Sequence, residues 1–145
     1  MKSPVGPLSL FADADAIIAV EWGRAPNPQP EPILLEAVAQ LEAYFSGRLT
    51  SFELPVCLSG THFQKAVWAL MRDIPHGETR TYGDLAQTLA SAPRAVGGAC
   101  GRNPVPIIVP CHRILGAGKR MTGYSGGVGI ETKQALLRLE GVSLL

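Results

Sequence analysis

The chain has 145 residues, 46% of them hydrophobic and 17% charged, with a formal net charge of +1. That length fits one or two small domains with a real core, and the composition fits a globular chain, not a disordered or fibrous one. No apolar run is long enough to span a bilayer, and the N-terminus lacks a charged stretch followed by an apolar core and cleavage site. A cytoplasmic protein with no membrane partner is therefore expected. Cys57, Cys100 and Cys111 are odd in number and show no CxxC spacing, which argues against a disulfide framework and a cysteine-rich zinc site. Reduced thiols, no metal and no cofactor are expected.

The small net charge hides an asymmetry. Residues 1–55 sum to −4 and residues 56–145 to +5, and all three histidines lie in the basic part. Such a half attracts an acidic partner such as nucleic acid, although scattered solvated charge fits the count equally well. In the acidic part, LSLFA and IIAVEW read as two short strands turned by Asp13-Ala14-Asp15. A proline-rich connector (residues 25–32) follows, in which no helix persists. Ile33 to Phe45 then predicts an amphipathic helix with Leu34, Val38, Leu41 and Phe45 on its apolar face, ending at Gly47. No nucleophile–base constellation appears here, so residues 1–55 read as a supporting α/β domain.

Residues 56–145 read as a second, mainly helical domain, giving a mixed α+β fold overall. Thr61-His62-Phe63-Gln64 is a capping-box pattern, opening a helix with Phe63, Val67, Leu70 and Met71 on one face, stopped by Pro75 and Gly77. Trp68 reads as core, and His62 and His76 as surface or cap residues. Thr81 to Ala90 with its Thr-x-x-Asp start, a turn at Ser91-Ala92-Pro93, and Arg94 to Gly101 then make a helix-turn-helix pattern. Its second helix presents Ala95, Val96, Gly97, Gly98 and Ala99, none of which reaches a base edge. That surface suits close approach to sugar-phosphate walls in the minor groove, with little sequence readout.

The focal stretch is RAVGGACGRNPVPIIVPCHR, from Arg94 to Arg113. Asn103-Pro104-Val105-Pro106 imposes an extended approach to a short strand, Ile107 to Val109, which Pro110 ends just before Cys111. His112 and Arg113 follow directly, and an imidazole or guanidinium beside a thiol favours the nucleophilic thiolate. A lone Cys-His pair in apolar surroundings is nonetheless more often a buried thiol. The glycine-rich run from Leu115 to Gly129 lacks P-loop spacing, and an amphipathic helix from Glu131 to Glu140, capped by Gly141, closes the chain.

Asn103-Pro104-Val105-Pro106 leading to Pro110-Cys111-His112-Arg113, after Arg94-Ala95-Val96-Gly97-Gly98, resembles the signature of the O6-alkylguanine-DNA alkyltransferases. The likeness runs from about Gly60 to Gly141. It implies a helix-turn-helix in the minor groove of double-stranded DNA, base flipping, and irreversible single-turnover transfer of an alkyl group from guanine O6 to Cys111. O4-alkylthymine is left open as a further substrate, and a monomer is implied. In this resemblance His112 takes the thiol proton through a water, Glu140 orients the imidazole, and Tyr82 assists the departing guanine. Arg94 is the finger that fills the space of the flipped base, with Thr81, Tyr82, Ala95, Gly97, Gly98 and Arg102 as further DNA contacts. Tyr124, Ser125, Ile114 and Asn103 shape the pocket. Three rivals stand beside it. A Cys-His hydrolase has no separate motif for an oxyanion hole, and a non-catalytic lesion binder would not need Cys111. A regulatory DNA-binding module would read sequence poorly through so small-sided a helix.

Overall fold

Leu8–Asp13 (β1) and Ala16–Trp22 (β2) pair antiparallel, with an irregularity between Phe11 and Ala12. The turn joining them places Ala14 and Asp15 both at positive φ, the conformation that matches a two-residue hairpin loop to strand twist. The computed structural model describes residues 1–25, 31–121, 123–124 and 126–143. Pro32–Phe45 (α1), with proline in its first turn, packs on both strands. Its buried stripe is Ala37, Leu41 and Tyr44, while Leu34, Val38 and Phe45 are only half-buried. The helix is thus rotated from the face expected of its aliphatic residues. Tyr44 sits at the centre of that face because its hydroxyl has a buried acceptor, described below.

The outer edge of β2 continues the hairpin into the rest of the chain. Ile17 N–H donates to Pro55 O and Cys57 N–H to Ile17 O, both at 2.9 Å. Val20 N–H donates to Pro104 O at 2.9 Å, tying the hairpin to the approach to Cys111.

His62–Arg72 (α2) begins with the expected capping box, in which Thr61 accepts from Gln64 N–H and Gln64 caps Thr61 N–H. Its Trp68 is 1% exposed and donates to Ala99 O at 2.9 Å. That bond anchors Pro93–Gly101 (α4), the second helix of a pair begun by Tyr82–Thr88 (α3). Thr81 caps α3 reciprocally with Asp84. Arg80–Thr81 (β3) pairs parallel with Ile114–Leu115 (β4), bringing the start of α3 beside the segment after Cys111. Ile130–Leu139 (α5) closes the fold. One core runs from Leu8, Leu41 and Tyr44 through Val67 and Trp68 to Val109 and Leu136. Among the described residues, no helix is long and apolar enough to cross a membrane.

The strand expected at Ile107 to Val109 does not form. Ile108 N–H bonds Pro106 O at 2.9 Å around Ile107, whose φ is 72°. Cys111 N–H then bonds Val109 O at 2.9 Å around Pro110, at φ −83° and ψ 71°. These are two γ-turns in close succession. Prolines at 104, 106 and 110 remove the donors a ladder requires, so the segment closes on itself instead. A β-branched residue at positive φ costs roughly 1–3 kcal/mol and persists only where its surroundings hold it. Ile107 is 1% exposed, and Asn103 clamps the loop. Its Nδ2–H donates to Val109 O at 2.8 Å, and its Oδ1 accepts from Val105 N–H at 3.0 Å. Asn103 therefore ties the approach to the turn.

Asn103→Ala leaves the buried Val105 N–H unpaired, so denaturant unfolding should show a loss of about 1–3 kcal/mol. An unchanged midpoint would mean that Asn103 does not hold the turn.

Candidate active site

Cys111–Arg113 form a single 3-10 turn, and all three residues are buried. The turn sends His112 and Arg113 to one carboxylate, Glu140. His112 Nε2 lies 2.7 Å from Glu140 Oε2. Arg113 grips the same carboxylate through Nε–H to Oε1 at 2.8 Å and Nη2–H to Oε2 at 3.0 Å. Its Nη1–H donates to Ile74 O at 2.7 Å. From the N-terminal part, Tyr44 O–H donates to Glu140 Oε2 at 2.6 Å. A carboxylate with no side-chain exposure is thus satisfied by three residues, and the two-pronged arginine contact is the strongest geometry available to it.

Local backbone chemistry fixes where Glu140 stands. It caps the end of α5, followed by Gly141 at φ 81°. Gly141 N–H bonds Arg138 O at 3.0 Å and Val142 N–H bonds Leu137 O at 2.9 Å, a Schellman termination that leaves Glu140 one defined direction. Burial by itself raises the Glu140 carboxyl, but the hydrogen bonds from His112, Arg113 and Tyr44 outweigh it and hold the group well below the usual carboxylate range. Burial also pushes the Tyr44 phenol up, and the neighbouring carboxylate adds to that shift, so it remains a donor.

An ionised Glu140 decides the tautomer of His112, because Nε2 must carry the hydrogen. His112 is 0% exposed, and among the described residues its Nδ1 has no hydrogen-bond partner. Burial lowers the His112 pKa against the pull of Glu140. The resting imidazole is therefore neutral, with Nδ1 as the open proton acceptor.

The thiol is not activated as its sequence neighbours suggest. Arg113 turns away to Glu140, and His112 carries no charge. Burial pushes the Cys111 thiol up, opposed by Asn103, Tyr124 and the charge of Lys133. Lys133 is 0% exposed, and its ammonium stands 5.8 Å from the centre of the Tyr82 ring. The result is a protonated thiol at neutral pH with groups around it that favour the anion.

Cys111 borders a cavity of about 340 Å³ that also touches Tyr82, Gly97, Gly101, Gly123 and Tyr124. The helix pair thus opens directly onto the sulfur, and the small side chains of α4 leave room at its mouth. Arg94, Ala95, Gly98 and Arg102 are exposed along α4 and its end, and Gly97 faces Tyr82. Thr81 is engaged in capping α3. Asn103 lies beside the thiol as well as in the turn. Ile114 is fully buried in β4, its backbone paired with Arg80, and does not line the cavity at Cys111. Ser125 lies outside the described residues. Sequence reasoning missed Tyr44, Lys133 and the pairing of Arg113 with Glu140. A tyrosine near the apolar face of α1 was the available signal, since a buried hydroxyl needs a partner. Among the described residues, no group of His, Cys, Asp or Glu side chains could hold a metal ion.

A buried thiol, a histidine polarised by a carboxylate and a small-sided helix pair at the mouth define a class of sites in which a thiol nucleophile is reached across a helix-turn-helix. A family model for the 6-O-methylguanine DNA methyltransferase DNA binding domain matches residues 62–142, and one for the ribonuclease-like domain of that methyltransferase matches residues 1–58. The chain is 44% identical over 150 residues to a methylated-DNA–protein-cysteine methyltransferase of Methanosarcina acetivorans, covering 97% of this chain and 95% of that protein. It is 51% identical to one from Mycolicibacterium paratuberculosis, covering 97% and 89%. The Mycobacterium tuberculosis OGT in complex with DNA superposes with a TM-score of 0.87 at 45% identity, covering 97% of this chain and 89% of that one. The chain belongs to the methylated-DNA–protein-cysteine methyltransferase family.

Glu140→Gln removes the charge that pairs a buried guanidinium and should cost about 3–5 kcal/mol at neutral pH. In the native protein the carboxyl is ionised to lower pH in the fold than in the unfolded chain. Its contribution is therefore complete above about pH 4.3 and is lost as pH falls through the depressed native value. Denaturant unfolding across that acid range should show a shallower decline in Glu140→Gln; parallel curves would count against the network.

Proposed function

We propose that this chain repairs DNA by direct reversal, moving the alkyl group of O6-alkylguanine in duplex DNA onto Cys111. The observation that carries the reading is the buried Cys111 thiol at a cavity that opens at the helix pair, followed in the chain by a neutral His112 that ionised Glu140 holds. In it His112 Nδ1 takes the thiol proton, directly or across one water, while Glu140 holds the ring through Nε2–H. The sulfur attacks the alkyl carbon in line, the S–C bond forms and the C–O6 bond breaks. The thiol proton finally resides on the restored guanine. A thioether does not hydrolyse readily, so each molecule acts once.

The reactive carbon lies within the base stack, so the lesion must be extruded at a cost of roughly a few kcal/mol. In our reading α4 lies in the minor groove, with Ala95, Gly97 and Gly98 allowing its backbone close to the sugar-phosphate walls. Arg94, exposed in the first turn of α4, occupies the space the base leaves, and Thr81 and Arg102 contact the backbone. Tyr82 faces the cavity and stabilises the departing base where charge develops. Tyr124 walls the pocket. Residues 1–55 act as support and residues 56–145 bind DNA and react, with Tyr44 contributing across the boundary.

Intact-protein mass spectrometry after mixing with a duplex holding one O6-methylguanine should show one added methyl, on the peptide containing Cys111, saturating at one per protein. Cys111→Ala should abolish the gain while keeping lesion binding; methylation elsewhere at full rate would remove Cys111 from the mechanism. Binding without any mass gain in the unaltered protein would make it a lesion sensor. Arg94→Ala should slow repair of the duplex more than reaction with the free O6-alkylguanine base, and equal slowing of both would discard the finger role.

A further inference from the structure

Cys111 borders a second cavity, of about 440 Å³, between β2 and the run from Asn103 to Pro106. Guanine entering from the helix pair accounts for the first cavity and leaves this one without an occupant. Displacement geometry supplies one. The sulfur, the attacked carbon and O6 lie on a line, so whatever the carbon carries beyond hydrogen leaves that line sideways. A substituent larger than methyl therefore needs space beside the sulfur, and the β2 cavity provides it. Trp22, Pro104, Pro106 and Tyr124 supply the apolar part of its wall, and Glu21 and Asn103 the polar part.

Trp22 is held there by two independent contacts. Its ring meets Tyr124 edge to face, with centroids 6.3 Å apart and planes at 77°. Gly126 lies so close beneath the indole that a Cβ there would overlap it, at 2.6 Å from Cε2. The bond from Val20 N–H to Pro104 O sets the distance between the strand bearing Trp22 and the opposite wall. An indole that merely covered surface would not require a glycine under it.

We propose that Trp22 is a specificity-determining residue: it walls a receptacle for the alkyl substituent and favours O6-alkylguanines with large apolar groups. The inference rests on the alkyl-transfer reading above. During transfer the S–C bond forms, the C–O6 bond breaks, and the substituent stays on sulfur against the indole while guanine carries away the proton. Burial of an apolar group on such a wall discriminates by about tenfold or more.

The test is single-turnover transfer from duplexes containing O6-benzylguanine or O6-methylguanine. Trp22→Ala should lower the benzyl-to-methyl rate ratio about tenfold. Trp22→Phe, which keeps a ring against Tyr124, should retain most of the ratio. Both rates come from one preparation, so loss of folded protein cancels. A ratio that is unchanged or raised in Trp22→Ala, or as low in Trp22→Phe as in Trp22→Ala, overturns the assignment while methyl transfer persists. Absence of methyl transfer to Cys111 in the unaltered protein overturns the alkyl-transfer reading, and this inference with it.

Discussion

The structure turns on a single buried carboxylate. Glu140 accepts from His112, Arg113 and Tyr44, which come from the cysteine turn and from α1, while Glu140 itself ends α5. Burying a charge costs several kcal/mol unless it is paired and hydrogen-bonded, and here the pairing is two-pronged and the remaining lone pairs are used. The same arrangement sets the protonation of the imidazole. Stability and chemistry thus share one group: Glu140 joins three distant pieces of chain and leaves Nδ1 as the basic nitrogen of His112.

The second constraint is the route by which the backbone reaches Cys111. A strand would have delivered the thiol on a pleated surface with a neighbour on each side. The γ-turns at Ile107 and Pro110 instead fold the approach back on itself, with Asn103 holding both arms. Strain of this kind is tolerated next to a reactive group because the surrounding core over-determines it. Asn103 also lies beside the sulfur, so one amide serves both the turn and the thiolate.

Much of this was legible in the residues. The hairpin, both capping boxes, the helix pair and the closing helix follow from alternation, Thr-x-x-Gln and Thr-x-x-Asp spacing, and a terminal glycine. Pro110-Cys111-His112-Arg113 announced the nucleophile and its neighbour. The γ-turns were not legible, because Ile107-Ile108-Val109 has strand composition and only the loss of donors at the flanking prolines opposes it. Tyr44 was hidden for another reason. Its partner lies 96 residues away, and helical periodicity ranks a tyrosine below the leucines around it. Arg113 looked like a charge for the thiol until the geometry gave it to Glu140, since the 3-10 turn carries it together with His112 to the carboxylate.

The edge of β2 carries a consequence of its own. A two-stranded sheet is too small to be stable alone, and its unpaired rims invite a third strand from another molecule. Here one rim is closed by Pro55 and Pro104, whose carbonyls accept from β2 while their ring nitrogens have no hydrogen to offer a further chain. Along the other, Leu8 at the start of β1 is paired with Met1. The rim of β2 is thereby closed to edge-to-edge growth in part by Pro104, which also sets the path to the cysteine. Resistance to aggregation and placement of the nucleophile draw on that same proline.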